Sequence, residues 1–124
     1  MAQSQFRSRR KVSGTRYIAI RKKRQCELAG NPAHTLIGTQ KVQNKRVRGG
    51  NTKQSLLRTQ TVVVQEGGKS ETLPILNVEN NPANIHYTRR NVITKGAIVK
   101  TEKGSVKITS RPGQTGTLFG IIIQ

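Results

Sequence analysis

Charge sets the first limit on what this chain can fold into. Fifteen of its 23 Lys and Arg residues lie in residues 1–58, where Glu27 is the only acid; this half carries a net +14 and residues 59–124 a net +4. A segment with one carboxylate cannot neutralise itself by folding, so the asymmetry predicts a basic arm attached to a more ordinary domain. The length of 124 residues suits one small domain. Hydrophobic residues make up 32%, against roughly 45–50% in an average soluble domain, so a core is expected over only part of the chain.

Several classes are excluded. The longest apolar run, Leu118 to Ile123, is far short of the roughly 18 residues that span a bilayer. No apolar segment of the signal-peptide kind follows the basic start. The Arg- and Ser-rich opening, with no acid before Glu27, imitates a mitochondrial transit peptide. Its cations, however, stand in near-continuous blocks at 7–11 and 21–24 instead of being spaced along an amphipathic helix. The single cysteine, Cys26, excludes an internal disulfide and a Cys-Cys metal knuckle, and fits a reducing compartment. No metal or cofactor is expected.

The first 15 residues lack a hydrophobic period and are expected to be disordered without a partner. A short helix is predicted over Arg16–Ala29, stopped by Gly30 and Pro32, although Tyr17, Ile18, Ile20 and Leu28 make no clean stripe. Fully extended, residues 1–35 would reach about 115 Å, far enough to thread into a large partner. Beyond residue 36 the period becomes two. Strands are expected at Lys41–Val47, Gln54–Thr59, Thr59–Gln65, Thr72–Glu79, Asn91–Thr94, Ala97–Thr101, Ser105–Thr109 and Thr117–Ile123. Gly67-Gly68-Lys69 reads as a hairpin loop, and Pro74 as an edge or bulge position. The expected fold is all-β: a small antiparallel β-barrel of six or so strands over residues 36–124, preceded by a basic N-terminal extension, residues 1–35, containing a short helix.

Catalytic patterns are weak. Nothing in the spacing brings His34 and His86 together, and both lie beside Asn-Pro-Ala turns, so polar loop histidines are expected instead of a ribonuclease pair. Gly67-Gly68-Lys69-Ser70 ends like a phosphate loop, but that motif needs glycine at 63, which is Val63, and must open a helix.

The basic clusters carry the functional reading. Arg7, Arg9, Arg10 and Lys11 form one block, with Arg16 beyond it, and Arg21, Lys22, Lys23 and Arg24 a second. Lys41, Lys45, Arg46, Arg48, Lys53 and Arg58 surround Gly49, Gly50 and Asn51. Arg89, Arg90, Lys95 and Arg111 add further cations. Guanidinium forks grip phosphate oxygens and stack on exposed bases, and paired glycines let the main chain approach a phosphate. Four scattered aromatics (Phe6, Tyr17, Tyr87, Phe119) make no stacking platform, and no helix-turn-helix or finger pattern occurs. All 22 of these residues are therefore candidates for shape and backbone recognition of a folded RNA. With about eight phosphates neutralised, log affinity should fall with log salt at a slope of roughly −6.

Four segments resemble the S8e small-subunit ribosomal proteins of archaea and eukaryotes: Arg7 to Lys11 with Ser13-Gly14; Arg21 to Gly30 (RKKRQCELAG); Val47 to Arg58 (VRGGNTKQSLLR), whose Arg-Gly-Gly-Asn is the most specific; and Asn81 to Thr101 with Ser110 to Gln114. The resemblance covers nearly the whole chain, and the absence of a long insertion in the second half is closer to archaeal members. It implies a structural, non-enzymatic component of the small subunit. That component would bind 16S-type ribosomal RNA through the arm and one barrel face, beside other small-subunit proteins, in the cytoplasm, with no membrane or small-molecule partner. Gln25-Cys26 and Thr52 depart from the pattern, where a basic-aromatic pair and a second lysine are usual. A longer eukaryotic large-subunit assembly factor shares the pattern, so a factor restricted to precursor particles is the alternative.

Overall fold

The computed structural model describes residue 4 and residues 7–123. The chain divides into two units, Met1–Pro32 and Ala33–Gln124.

In the first unit, every described residue from 7 to 26 is exposed, so no core forms there. Its order is local. The Lys11 N–H donates to the Thr15 carbonyl (2.8 Å) and the Tyr17 N–H to the Arg9 carbonyl (3.3 Å), which closes a small loop bridged at Arg10 and Arg16. The helix expected over Arg16–Ala29 does not form; a single 3₁₀ turn, Gln25–Glu27, stands in its place. Four consecutive cations at 21–24 repel one another, and without an apolar stripe nothing offsets the cost of nucleating a helix.

Among its described residues the second unit holds nine strands: β1 Thr35–Ile37, β2 Lys41–Arg46, β3 Thr52–Thr59, β4 Thr61–Glu66, β5 Lys69–Asn80, β6 Val92–Ile93, β7 Ile98–Thr101, β8 Gly104–Ile108 and β9 Phe119–Ile122. A one-turn helix, α1 Ile85–Arg89, follows β5. Strands β4-β5-β7-β8-β9 close into a barrel, and β2-β3-β1-β6 form a four-stranded sheet. The barrel has five strands instead of the expected six, and it is not wholly antiparallel: β4 pairs with β9 in parallel. This follows from the count. Strand directions can alternate all the way around a ring only when the number is even, so five strands force one parallel seam. A second parallel pair joins β1 to β3.

The expected β4–β5 hairpin is present. Glu66 pairs with Lys69, leaving a two-residue turn in which Gly67 (φ 56°) and Gly68 (φ 83°) both take the left-handed conformation that matches strand twist. Pro74 ends the β4 ladder at Thr61, and the pairing of β5 with β7 begins one residue later, at Ile75↔Thr101. The missing donor therefore falls where β5 changes partners, next to the register shift between Ile75 and Asn77.

One core serves both sheets: Val62, Val64, Leu73, Ile75, Val78, Val99, Val106, Ile108 and Leu118 join Leu56 of β3 and Ile93 of β6. Valine dominates because the interior of so narrow a barrel has little room. Buried polar side chains are satisfied. The Thr35 hydroxyl donates to the Leu56 carbonyl (2.6 Å), and the Asn81 amide donates to Val92 (2.9 Å) while accepting from Thr94 and Ala83.

Candidate nucleic-acid interface

The two units present cations in different ways. In the first, the Arg7 guanidinium lies 4.1 Å from the centre of the Tyr17 ring, with the Lys11 ammonium at 5.7 Å. The ring thus acts as a rack for cations, not as a base platform, at roughly 0.5–1 kcal/mol for such an exposed pair. Arg7, Arg9, Arg16, Lys23 and Tyr17 line an open cleft of about 440 Å³. Arg21 also borders it, but its fork is turned to Glu27, at 2.5 and 3.2 Å. Hydrogen bonds from that guanidinium, and then from the Arg24 N–H, hold the Glu27 carboxyl below its usual range. The side chains of Arg9, Arg10, Arg16, Lys22, Lys23 and Arg24 form no ion pair among the described residues.

In the second unit, the densest cations stand on the β2–β3 hairpin. Its register sets Lys45 directly opposite Lys53, and Lys41 opposite Arg58. Like charges facing each other across a ladder repel, and residues 41–58 contain no acid. Arg46 pairs across to Thr52, and the loop joining the strands carries Arg48, Gly49, Gly50 and Asn51. The Val47 N–H donates to the Asn51 carbonyl (2.8 Å), closing the loop. Gly49 and Gly50 both sit at φ 75°, which a side chain rarely adopts, and nothing lies within 4 Å of where a Gly50 Cβ would be. Glycine is required here by backbone angle, and the result is a bare stretch of main chain flanked by cations.

A turn distant in sequence completes this region. The Leu56 N–H donates to the Pro112 carbonyl (2.8 Å) and the Ser55 hydroxyl to the Gly113 carbonyl (2.8 Å). These bonds fasten the Arg111–Thr115 turn beside β3. Between hairpin and turn lies a hollow of about 380 Å³ lined by Lys45, Lys53, Gln54, Ser55, Gly113 and Gln114. Gln54, Ser55 and Gln114 were not expected from the sequence. The alternation of β3 could have placed Ser55 beside Lys53, but no local signal brings Gln114 there.

The remaining cations are not gathered into this region. Arg89 and Arg90 stand at the end of α1 and Lys95 in the β6–β7 turn, all exposed, beside the strand that forms the sheet edge opposite β2. His34 packs edge-on against Tyr87 (5.4 Å between ring centres), while the backbone N–H of His86 donates to Oδ1 of Asn84, the residue that caps α1 (2.9 Å). The contact at His34 is made by its ring and that at His86 by its main chain, so the two do not form a pair. Among the described residues no cluster of His, Cys, Asp and Glu has metal-binding geometry, and no helix is long and apolar enough to cross a membrane.

The family described as Ribosomal protein S8e matches residues 4–123. The chain belongs to the S8e family of ribosomal proteins. It is 46% identical to the small ribosomal subunit protein eS8 of Methanobrevibacter smithii, over 99% of this chain and 100% of that one. It is 45% identical to the proteins of the same name from Methanocorpusculum labreanum and Nanoarchaeum equitans, each covering 97% of this chain and 98% and 96% of theirs. These S8e relatives are archaeal, as the resemblance implied, and the family is one of structural ribosomal proteins, not enzymes.

Proposed function

We propose that this S8e protein is a structural constituent of the small ribosomal subunit that binds and stabilises folded 16S-type ribosomal RNA, beside other small-subunit proteins, in the cytoplasm. The observation that carries the reading is the β2–β3 hairpin, where Lys45 faces Lys53 and no carboxylate lies within residues 41–58. Such an arrangement is unfavourable alone and favourable against phosphates, which supply the missing counter-charge. The arm, residues 1–35, reaches RNA through Arg7, Arg9, Arg10, Lys11, Arg16 and the 21–24 block. The barrel domain, residues 36–124, contributes the hairpin, with Arg111 on the turn fastened beside it.

The test is RNA binding by full-length variants. Gly49→Val and Gly50→Val should each weaken binding several-fold, because a β-branched residue at φ 75° costs about 1–2 kcal/mol and forces the loop out of shape. Lys107→Ala, on β8, should weaken it less. Equal losses would remove the hairpin from the interface. Sedimentation with mature small subunits through a high-salt wash is expected; confinement to precursor particles would replace this reading with an assembly factor.

A further inference from the structure

The face of the barrel formed by β9 has a composition that neither the core nor RNA binding explains. Inward-facing Gly120 and Ile122 pair with Val64, Ile108 and Val106, and Ile122 packs on the core. The alternate positions point outward and are also apolar: Phe119, Ile121 and Ile123 are 48%, 50% and 40% exposed. Other outward positions on nearby strands are polar, with Lys100 on β7, Ser105 and Lys107 on β8 and Thr72 on β5, while Val63 on β4 and Ile98 on β7, both half-buried, extend the apolar surface. A strand apolar on both faces is a strand covered on both faces, and contiguous exposed apolar surface of this kind marks a contact site.

The register shows what would cover it. Ile98, Lys107 and Ile121 lie side by side across β7, β8 and β9, and Val63 lies beside Phe119. One cation, Lys107, thus sits among large apolar side chains. It forms no ion pair among the described residues, nor does Lys100; Glu79 accepts instead from the Ser105 hydroxyl at 2.8 Å. We infer that this face docks a segment of another protein that carries apolar side chains and a carboxylate set to meet Lys107.

Other occupants fit less well. A second copy would bring another net +18 with only five acids, so two copies repel. RNA seeks the cation density of the β2–β3 hairpin and gains little from three apolar side chains around one ammonium. The closed barrel leaves β9 paired on both sides, to β4 and β8, so a partner cannot add a strand and must meet the face through side chains.

The test places p-benzoylphenylalanine at Ile121 of the full-length chain in cells, with the same residue at Thr72 as a control. Particles are separated by sedimentation, irradiated, and the adducts mapped by mass spectrometry. The expected result is one protein adduct from Ile121, at a peptide bearing Asp or Glu beside apolar residues, whose yield falls several-fold with Lys107→Glu. An adduct to RNA, to a second copy or to a peptide without a carboxylate would overturn the inference, as would no adduct. The Phe119→Ser/Ile121→Ser variant should keep its melting temperature and its affinity for naked ribosomal RNA, and yet be displaced by the unaltered chain during incorporation; equal incorporation would also overturn it. The ribosomal reading fails separately, through absence from small-subunit fractions, because the adduct is mapped in whichever fraction holds the chain.

Discussion

Replacing Gly120 with alanine should loosen the barrel at its seam. Gly120 faces inward where β9 meets both β4, at Val64, and β8, at Ile108. An added Cβ would lie 2.4 Å from Val106 Cγ1, 3.0 Å from the Lys107 carbonyl oxygen and 3.5 Å from Val62 Cγ2. Carbon atoms in good contact sit at about 3.5–4.0 Å, so Val106 would have to retreat by more than 1 Å inside a packed core, or the strands would have to part. Such overpacking costs about 1–3 kcal/mol. The reduced freedom of the unfolded chain offsets about 0.4–1 kcal/mol of that, which leaves a net loss of about 1–2 kcal/mol. For a unit of this size the melting temperature should fall by roughly 4–16 °C. Gly116→Ala is the control, since its added Cβ crowds only the far end of the exposed Gln54 side chain, at 2.7 Å from Oε1, and lies at an ordinary 3.6 Å from Val42 Cγ1, and should move the melting temperature far less. Val106→Ala in the Gly120→Ala background should cost much less than the same change alone, because the clash and the cavity cancel. Calorimetry of the four variants decides the matter. A Gly120→Ala protein that melts with the parent, or one no worse than Gly116→Ala, would refute the claim that the interior has no room for a methyl group at the seam.

Lys53→Glu should stabilise the free protein by about 0.2–1 kcal/mol, by placing a carboxylate opposite Lys45, and at the same time weaken RNA binding by about 1.5–3 kcal/mol and flatten the salt slope; denaturant titration and filter binding read both. The Arg21–Glu27 pair should be present at neutral pH and lost as the pH falls through the lowered Glu27 value, beneath the ordinary glutamate range, because a depressed carboxylate contributes only while ionised. A side-chain NMR titration should show Arg21→Ala raising the Glu27 value, with the remaining Arg24 N–H bond still holding it on the low side. Amides of residues 7–26 should exchange rapidly in the free protein, since all of these residues are exposed, and slow on RNA binding; strong protection without RNA would contradict folding of the arm on its partner.

Much of the site was legible in the chain. Arg48-Gly49-Gly50-Asn51 fell in the β2–β3 loop, and both glycines adopt positive φ, a backbone angle at which glycine is favoured. The basic blocks at 7–11 and 21–24 are exposed. What was not legible was pairing between distant residues: the facing of Lys45 and Lys53, the capture of Arg21 by Glu27, and the fastening of the Arg111–Thr115 turn to β3.

The sequence by itself determined where charge accumulates, which stretches alternate, and where turns fall, because each depends on neighbours a few residues apart. All eight strands expected past residue 36 fell within three residues of their expected bounds at each end for this reason, while Thr35–Ile37, too short to show a period, was missed as β1. Tertiary structure alone decided the five-strand closure, the parallel seam that an odd number imposes, and the outward apolar face of β9. Which strand lies beside which, and which face of a doubly apolar strand turns to the core, follows from long-range packing of the whole unit, and no window of local sequence contains it.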